Sequence, residues 1–568
     1  MSDRASSQEF GDSGPGRDLA KAATRDDPFQ PMRTVLDRAV HTYGGRPALR
    51  FMGRVTTYRE LDTRVMEAAG ALRRLGAGPG VRTGILLPNC PAIAVYILAA
   101  FEVGATVVPL DPAASEGELT EMAAASGLGL LVTCDTAAVL GKAVLLSKRC
   151  GTIPVVAVSY AGMLPITAAA KMRLFSADTF ARLPSGGDGL MYSERDLLRD
   201  KSAEAVRTGG ATPRPAVLDD VALVVAGRSG GVSRVASLTQ AQIADNLVQV
   251  RDALPPLRAG QERILAAVPL WHPLAYGLAL TVALAEAAEL IIAPDVTGKA
   301  LIEGLRQSLP TVVVAAAPLL GDMLADEDLG PAQYAALRFC LSAGGTVTPA
   351  MSAMLAARSS APLLDSYGLT IAPVVIGITG ADDTGLNANT RALAGTRIVV
   401  RDFADLSREV PRGERGEICV SGPQVASALQ IAPNTGAFIG HDVRTGDLGT
   451  VDADGRLFVV DRVEDLIVAA GYLIYPRRIE AALLEFPGVI DAAVIGVDDG
   501  RRGRAPKAFV VVKRGLAVTE RDLRVFLAGR ISKIEMPADI DFRTALPRTA
   551  FGLICKASLR AQEGARQG

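Results

Sequence analysis

The stretch A-L-P-R-T-A-F-G-L-I-C-K, residues 545–556, has the composition of a loop that carries chemistry. Pro547 fixes the entry into the loop and Gly552 permits a tight bend, because proline locks φ and glycine tolerates positive φ. The residue after the bend is Leu553, and the lysine of the stretch arrives only at Lys556. The pattern therefore leaves two interpretations: a working loop shifted in register, or a loop that has lost its reactive group.

Two other stretches carry residue types that suit anions and hydroxyl groups. The glycine-rich stretch 227–235 reads G-R-S-G-G-V-S-R-V and lacks the G-K-[ST] of a Walker A loop. The triplet T-G-D ends at Asp447, whose carboxylate is a pure hydrogen-bond acceptor, although such triplets are also common in surface turns.

Apolar runs and helical periodicity predict the elements that must position these residues. Helices are predicted at 58–75 and 90–101, and strands at 83–88, 106–110, 129–133, 222–226, 263–269, 289–294 and 311–316. Strands that alternate with helices favour a multidomain α/β fold with mainly parallel, doubly wound sheets. Short strands between polar turns from about residue 397 predict a small barrel-like sheet, and an α+β unit follows residue 461.

A chain of 568 residues is too long for one hydrophobic core. We expect a disordered tail at 1–28, a large N-terminal domain at 29–460, a hinge at 461–465, a mobile C-terminal α+β domain at 466–562 and a tail at 563–568. The polar sequence D-R-V-E-D suggests the hinge.

Composition excludes several classes of function. With 60 basic and 61 acidic side chains, no overall field favours nucleic acid. Scattered cysteines and three histidines give no metal-ligand spacing, and no apolar run reaches the ~18–20 residues that span a bilayer. We therefore expect a cytoplasmic protein without a transmembrane segment. Residues 164–175 are apolar with two cations, which predicts a surface helix and leaves weak membrane-surface contact as an alternative.

Nine short segments occur in an order that resembles the adenylate-forming superfamily of acyl-CoA synthetases, luciferases and peptide-synthetase adenylation domains. The resemblance runs from about residue 30 to residue 560 and looks nearest to the long-chain fatty-acid–CoA ligases. One segment would be weak, but the ordered set is specific. The segments are T-T-Y-R-E-L (56–61), L-P-N-C-P (87–91), P-L-W-H (269–272), L-S-A-G-G (341–345), S-Y-G-L-T (366–370), R-G-E-R-G-E-I (412–418), R-T-G-D-L-G (444–449), D-R-V-E-D-L-I (461–467) and L-P-R-T-A-F-G (546–552).

The resemblance implies a two-step reaction with ATP or AMP and coenzyme A as cofactors and a carboxylic acid, best matched by a fatty acid, as substrate. The carboxylate attacks the α-phosphate of ATP, and coenzyme A then takes the acyl group from acyl-AMP. Because the first step joins two anions, the protein must hold the phosphates and neutralise their charge.

The nucleoside half of the implied site is present in the sequence. By resemblance, Asp447 accepts hydrogen bonds from the ribose hydroxyls and Arg462 also reaches the ribose. The residues implied for the adenine and the phosphates are Gly344, Gly345, Tyr367, Gly368 and Thr370.

The phosphate half departs from the family pattern. In the stretch that aligns with the phosphate loop, a glycine is replaced by Arg228, a hydroxyl residue by Gly230 and the lysine by Arg234, with Ser229 and Gly231 between them. A one-residue slip would reassign these positions, but neither register restores the pattern. Ile371 stands at the position of the Mg²⁺-binding glutamate, and because it offers no oxygen we expect magnesium binding to be weak or absent.

Leu553 occupies the position of the family's catalytic lysine. If a helix began there, Lys556 would be displaced by ~4.5 Å and rotated by ~300°, so we expect a solvated surface lysine and at best a weak substitute. His272 matches a position that gates the acyl tunnel, and a packed histidine beside Trp271 is nearly as good an interpretation. Tyr276, Gly277 and Val347 are expected near the tunnel walls.

Three functional hypotheses remain open from the sequence. The protein is a functioning carboxylate–CoA ligase, or a non-catalytic relative that binds nucleotide or acyl groups and acts through a partner, or an enzyme that retains only thioester formation from supplied acyl-AMP. Impaired ATP-dependent adenylation is the favoured interpretation. A homodimer is left open as the assembly.

Overall fold

The structure is a computed structural model that describes residues 30–175, 180, 190–199, 214–229, 232–369, 375–379, 390–403, 405–425, 428–431, 438–469, 472–500 and 502–567. The predicted tail at 1–28 lies outside these residues. Over the described part, two large sheets form the N-terminal part of the chain and a small three-stranded sheet forms the C-terminal part.

The first sheet contains a parallel core with one antiparallel edge. The strands on both sides of Arg82–Ile85 pair in parallel. At one end of the sheet, the strands Val221–Ser229 and Val232–Thr239 form an antiparallel hairpin. In spatial order the described strands are Ala428–Ile431, Val232–Thr239, Val221–Ser229, Thr106–Pro109, Arg82–Ile85, Leu130–Cys134, Val155–Val158 and Met191–Ser193.

The second sheet changes from parallel to antiparallel pairing after the strand Leu363–Gly368. The strands expected to form a small barrel are continuous with this sheet at its antiparallel end, so they do not form a separate unit. In spatial order the strands are Arg397–Arg401, Gly416–Ser421, Asp442–Val451, Arg456–Arg462, Thr390–Ala392, Val375–Ile378, Leu363–Gly368, Phe339–Ala343, Val312–Ala315, Arg263–Ala267, Glu289–Ile292, Pro47–Phe51 and Arg54–Thr57, with Phe438–Ile439 paired to Asp442–Val451.

Helices cover these sheets, and several of them begin at a side-chain cap that the sequence provides. The helix Tyr58–Arg74 starts with a capping box, in which Thr57 and Glu60 satisfy each other's free backbone N–H groups. The N-terminal helices are Met32–Tyr43, Tyr58–Arg74, Pro91–Glu102, Glu116–Ser126, Ala137–Arg149, Ile166–Phe175, Glu194–Arg199, Gln240–Ala253, Pro273–Ala275, Thr281–Ala285, Gly298–Ser308, Ala317–Ala325, Pro331–Ala336 and Pro349–Ala356, with a 3₁₀ turn at Ala161–Met163 and a π-helical turn at Tyr276–Leu280.

The C-terminal part has its own core, built from the buried faces of its sheet and helices. A 3₁₀ turn at Val463–Asp465 precedes it, within the predicted hinge. Its elements are the hairpin Ile467–Ala469 and Tyr472–Ile474, the strands Val489–Asp499, Gly503–Val512 and Asp539–Phe542, and the helices Pro476–Leu484, Glu520–Ala528 and Lys556–Gln567.

The α/β fold class is confirmed, with a large N-terminal and a small C-terminal domain. The final helix continues to Gln567 and its buried Glu563 lies 2.8 Å from Lys507, so the segment predicted as a tail at 563–568 begins inside this domain. The predicted surface helix is observed at Ile166–Phe175, where Ile166 is 89% exposed, and its contact with a membrane surface stays a prediction. No helix among the described residues combines the length and apolar character needed to cross a membrane.

Candidate active site

Asp447, Tyr367 and Arg462 form one hydrogen-bonded group on the second sheet. Asp447 and Arg462 are cross-strand partners, which places their side chains side by side. The Tyr367 hydroxyl donates to Asp447 Oδ2 at 2.7 Å, and Arg462 Nε lies 3.3 Å from Asp447 Oδ1. The structure thus brings together the three residues that the sequence assigned to adenine and ribose.

Burial raises the pKa of the Asp447 carboxyl, and the nearby Arg462 guanidinium opposes that shift. Burial also raises the pKa of the Tyr367 phenol, and the Asp447 charge adds to this. The phenol therefore stays protonated and donates to the carboxylate. The arrangement holds the Asp447 carboxylate in a position where it can accept hydrogen bonds from the hydroxyl groups of a ribose.

Gly344 and Gly345 follow the strand Phe339–Ala343 with φ angles of 93° and 85°, in the region that favours glycine. Their open faces meet the C-terminal loop. A Cβ on Gly345 would lie 3.0 Å from Leu553 Cδ2, and a Cβ on Gly344 would lie 3.5 Å from Phe551 Cδ1. The apolar side chains of the loop therefore lie against the backbone that the sequence assigned to adenine.

The loop that carries Leu553 is a closed turn. The N–H of Thr549 donates to the Leu553 carbonyl at 2.7 Å, and the N–H of Gly552 donates to the Thr549 carbonyl at 2.8 Å. Gly552 has a φ of 74°, and the Arg548 guanidinium donates to its carbonyl at 2.6 Å. These hydrogen bonds fix the loop in a conformation in which the Leu553 side chain lies against Gly345.

His272 faces the same loop. Its ring meets the edge of Phe551 with a centroid separation of 4.6 Å and that of Trp271 at 5.8 Å. Its Nδ1 accepts the N–H of Leu274 at 3.2 Å, so Nε2 carries the proton, and burial lowers its pKa to about 3. A histidine packed beside tryptophan is thus observed, and a gating role stays a prediction.

Lys556 is not the solvated surface lysine expected from the sequence. The final helix begins at Lys556 and not at Leu553, so the assumed rotation along a helix does not apply. Its Nζ lies 2.8 Å from Glu480 Oε1 and 3.7 Å from Asp465 Oδ2, and its side chain is only 14% exposed. The amine is engaged in ion pairs inside the C-terminal domain.

The hinge is bound at both ends. The Asp461 carboxylate accepts the backbone N–H of Arg477 at 3.1 Å, which joins the last strand of the large sheet to the first C-terminal helix. Asp465 lies 2.7 Å from Arg560 in the final helix. Near the same boundary, the Arg415 guanidinium lies 5.4 Å from the centre of the Tyr475 ring.

The described residues of the stretch 227–235 form the two paired strands of a β-hairpin. Its strands pair Gly227 with Arg234, Arg228 with Ser233 and Ser229 with Val232. Gly230 and Gly231 lie outside the described residues, as do Thr370 and Ile371. The assignments of these residues to phosphate and magnesium stay predictions. Among the described residues, no group of three or more histidine, cysteine or acidic side chains is arranged to hold a metal ion.

Sequence reasoning missed Phe551, which lies between His272 and Gly344. The sequence feature that could have indicated Phe551 is its position directly before Gly552, at the bend of the loop. It also missed the hinge contact between Asp461 and Arg477, which no local pattern indicates because a backbone N–H from a distant helix is the donor.

Comparison with known proteins identifies the family. Residues 36–429 match the model of the AMP-binding enzymes, and residues 478–553 match that of the AMP-binding enzyme C-terminal domain. The chain is 28% identical to a long-chain-fatty-acid–CoA ligase of Escherichia coli O6:H1 over 94% of this chain and 95% of the relative. It is 29% identical to a feruloyl-CoA synthase of an Amycolatopsis species over 91% and 96%, respectively.

Solved structures show the same fold. MatB from Rhodopseudomonas palustris with ATP bound is similar with a TM-score of 0.77 and 22% identity, over 94% of this chain and 99% of that one. The o-succinylbenzoate CoA synthetase of Bacillus subtilis, in complex with its acyl-adenylate intermediate, gives 0.74 and 21% over 94% and 98%. Because the first family model alone spans more than half of the sequence, the chain belongs to the AMP-binding enzymes, with the architecture of an acyl-CoA synthetase.

Proposed function

We propose that this protein binds adenine nucleotide and a carboxylic acid as an acyl-CoA-synthetase-like enzyme whose ATP-dependent adenylation is impaired. The observation that carries the proposal is the position of Leu553, held by the closed loop against Gly345 and beside Phe551. An alkyl side chain stands at the point where the family presents an amine to the reacting oxygens.

The nucleoside part of the proposal is supported by Asp447. Its carboxylate is fixed by Tyr367 and by Arg462, which fits a ribose acceptor that is already oriented before the ligand arrives. The paired glycines follow the strand that is paired with the strand carrying Tyr367, so their backbone lies near this group. AMP is therefore the ligand that the described residues fit best.

The impairment follows from charge. Adenylation develops negative charge around the α-phosphate, and losing one donor of this kind commonly lowers the rate by ~10²–10³. Lys556 does not supply the missing donor, because Glu480 and Asp465 already neutralise its amine. With Ile371 in place of a carboxylate, magnesium would be held by phosphate and water, which weakens the site further.

The two other candidate functions differ in the substrate they need: supplied acyl-AMP for thioester formation alone, or ATP and a free acid for a fully active ligase. A protein that lacks adenylation can still transfer an acyl group to coenzyme A when acyl-AMP is supplied, since that step forms a thioester and releases AMP. A fully active ligase requires Arg228 or Arg234 to take over the phosphate contacts. The named relatives use a fatty acid or ferulate, so both chain and ring acids belong in a substrate panel.

ATP–pyrophosphate exchange with that panel tests the proposal, together with AMP binding by calorimetry. We expect AMP binding with little or no exchange, and Leu553→Lys should raise exchange, with Leu553→Met as the matched control that keeps the shape without the charge. If Leu553→Lys has no effect, the double variant with Ile371→Glu tests the metal position. Robust exchange by the unmodified protein would contradict the proposal.

A further inference from the structure

The Tyr276 phenol is buried without a hydrogen-bond partner. Its side chain is 4% exposed, and no donor or acceptor among the described residues bonds to its hydroxyl. A buried hydroxyl normally has a partner, because leaving it unpaired forfeits the hydrogen bonds that water would make. Tyr276 also opens the π-helical turn Tyr276–Leu280, a local form that recurs at functional sites.

Tyr276 lies on the same helical face as His272. The N–H of Tyr276 donates to the His272 carbonyl at 2.9 Å, so the two residues are one turn apart. His272 contacts Phe551 of the C-terminal loop on that face. Tyr276 therefore lies one turn along the chain from the residue that contacts the loop.

On its other side, the turn that begins at Tyr276 approaches the strand Val375–Ile378, which is paired with the strand that carries Tyr367. A Cβ on Gly277 would lie 3.9 Å from Val375, and Val375 is the ladder partner of Gly368, the residue after Tyr367. Asn246 lies in the same place, but both ends of its amide are bonded to the Val375 backbone, at 2.8 Å and 3.0 Å. Asn246 is thus committed to the fold, and the Tyr276 hydroxyl remains available.

We propose that the Tyr276 hydroxyl recognises an oxygen substituent on the acyl group, so that the protein selects a carboxylic acid bearing a hydroxyl, methoxyl or keto oxygen over the plain hydrocarbon acid. This inference rests on the proposed function, since it places the acid in the region between His272 and Val375. The phenol donates to the substituent or accepts from it, and the surrounding apolar residues exclude water from this bond.

Calorimetry on the intact protein tests the selection, with and without AMP, using cinnamate against 4-hydroxycinnamate and octanoate against 8-hydroxyoctanoate. We expect the hydroxylated member of at least one pair to bind roughly three- to tenfold more tightly, the worth of one neutral hydrogen bond. Tyr276→Phe, which removes only the hydroxyl, should abolish that preference, so that the two members of each pair bind with equal affinity.

Thermal unfolding of the free protein separates recognition from a structural role. Tyr276→Phe should keep or raise the melting temperature, because it removes an unpaired buried hydroxyl. Tyr334→Phe is the matched control: the hydroxyl of this distant buried tyrosine donates to the Met323 carbonyl at 3.2 Å and accepts from Arg358 at 2.9 Å, so its loss should lower the melting temperature.

Equal affinity for both members of each pair, no binding of any acid, or a preference that persists in Tyr276→Phe would overturn the inference. A melting temperature that falls as far as in the Tyr334→Phe control would do the same, since it would show a structural partner for the hydroxyl. AMP and acid binding measured together keep the two proposals apart: a protein that binds AMP and binds both acids of each pair equally loses this inference alone, whereas one that binds no acid also contradicts the acid-binding part of the proposed function.

Discussion

Replacing Lys556 by methionine distinguishes a structural lysine from a catalytic one. The change removes the partner of Glu480, whose pKa burial already raises and the Lys556 amine lowers again. Asp465 keeps Arg560 at 2.7 Å, so only Glu480 is left uncompensated, with a single backbone bond from the Val494 N–H. Breaking a buried ion pair on one side costs about 3–5 kcal/mol, and since both side chains retain 13–14% exposure we expect about 3 kcal/mol.

Urea unfolding of the full-length chain, followed by fluorescence and circular dichroism, measures this loss. Because Glu480 can take up a proton in the variant, the loss should shrink as the pH falls toward the pKa of that carboxyl. The double variant Lys556→Met with Glu480→Gln should recover part of the stability, as expected for two residues that interact directly. Any exchange activity should be the same in the variant and the unmodified protein once both are folded.

Either of two results for Lys556→Met would refute the reasoning. If Lys556→Met unfolds at the same urea concentration as the unmodified protein, the ion pair with Glu480 contributes nothing measurable. If the variant is equally stable but loses exchange, Lys556 reaches the reacting oxygens in another orientation of the domain, and the loop has shifted its amine instead of losing it.

Three other outcomes follow from the site. Gly345→Ala should destabilise the protein more than Gly413→Ala in urea unfolding: both residues have positive φ, 85° and 87°, which costs ~1–2 kcal/mol for alanine, but only the Gly345 Cβ would meet Leu553. Asp447→Asn should weaken AMP binding on the order of tenfold to a hundredfold by calorimetry, with an unchanged circular dichroism spectrum, because a charged acceptor is lost. The His272 pKa is lowered from 6.5 to about 3, so only the unfolded state binds the proton between these values and stability falls as the pH drops. This loss is about 2 kcal/mol at pH 5, and urea unfolding of His272→Phe at about pH 5 and pH 7.5 should lack it.

The sequence predicted the elements that follow local rules. The predicted strand at 106–110 is observed at Thr106–Pro109, and the helix at 58–75 is observed at Tyr58–Arg74, where a capping box and a hydrophobic face agree. The strand at 263–269 is shorter, Arg263–Ala267, because pairing partners on both sides end there. Periodicity and caps are properties of adjacent residues, which is why they could be read without a fold.

The contacts that decide chemistry depend on distant residues and could not be predicted in this way. Lys556 looked like a surface residue because its partners Glu480 and Asp465 are far away in the sequence. The cross-strand pairs of the hairpin at 227–235 were not predicted, because the stretch was interpreted only by its alignment with a phosphate loop. The closeness of Tyr367 to Asp447 was expected only from the resemblance, since eighty positions separate them.

The contacts on either side of the hinge restrict any rotation of the small C-terminal domain to a short segment of backbone. Asp461 is tied to Arg477 and Asp465 to Arg560, so the segment between these contacts consists of Arg462 and the first two residues of the 3₁₀ turn Val463–Asp465. One of them, Arg462, also lies against Asp447. Arg462 therefore belongs both to the candidate ribose site and to the segment that joins the two domains, so the site and the connection share one side chain.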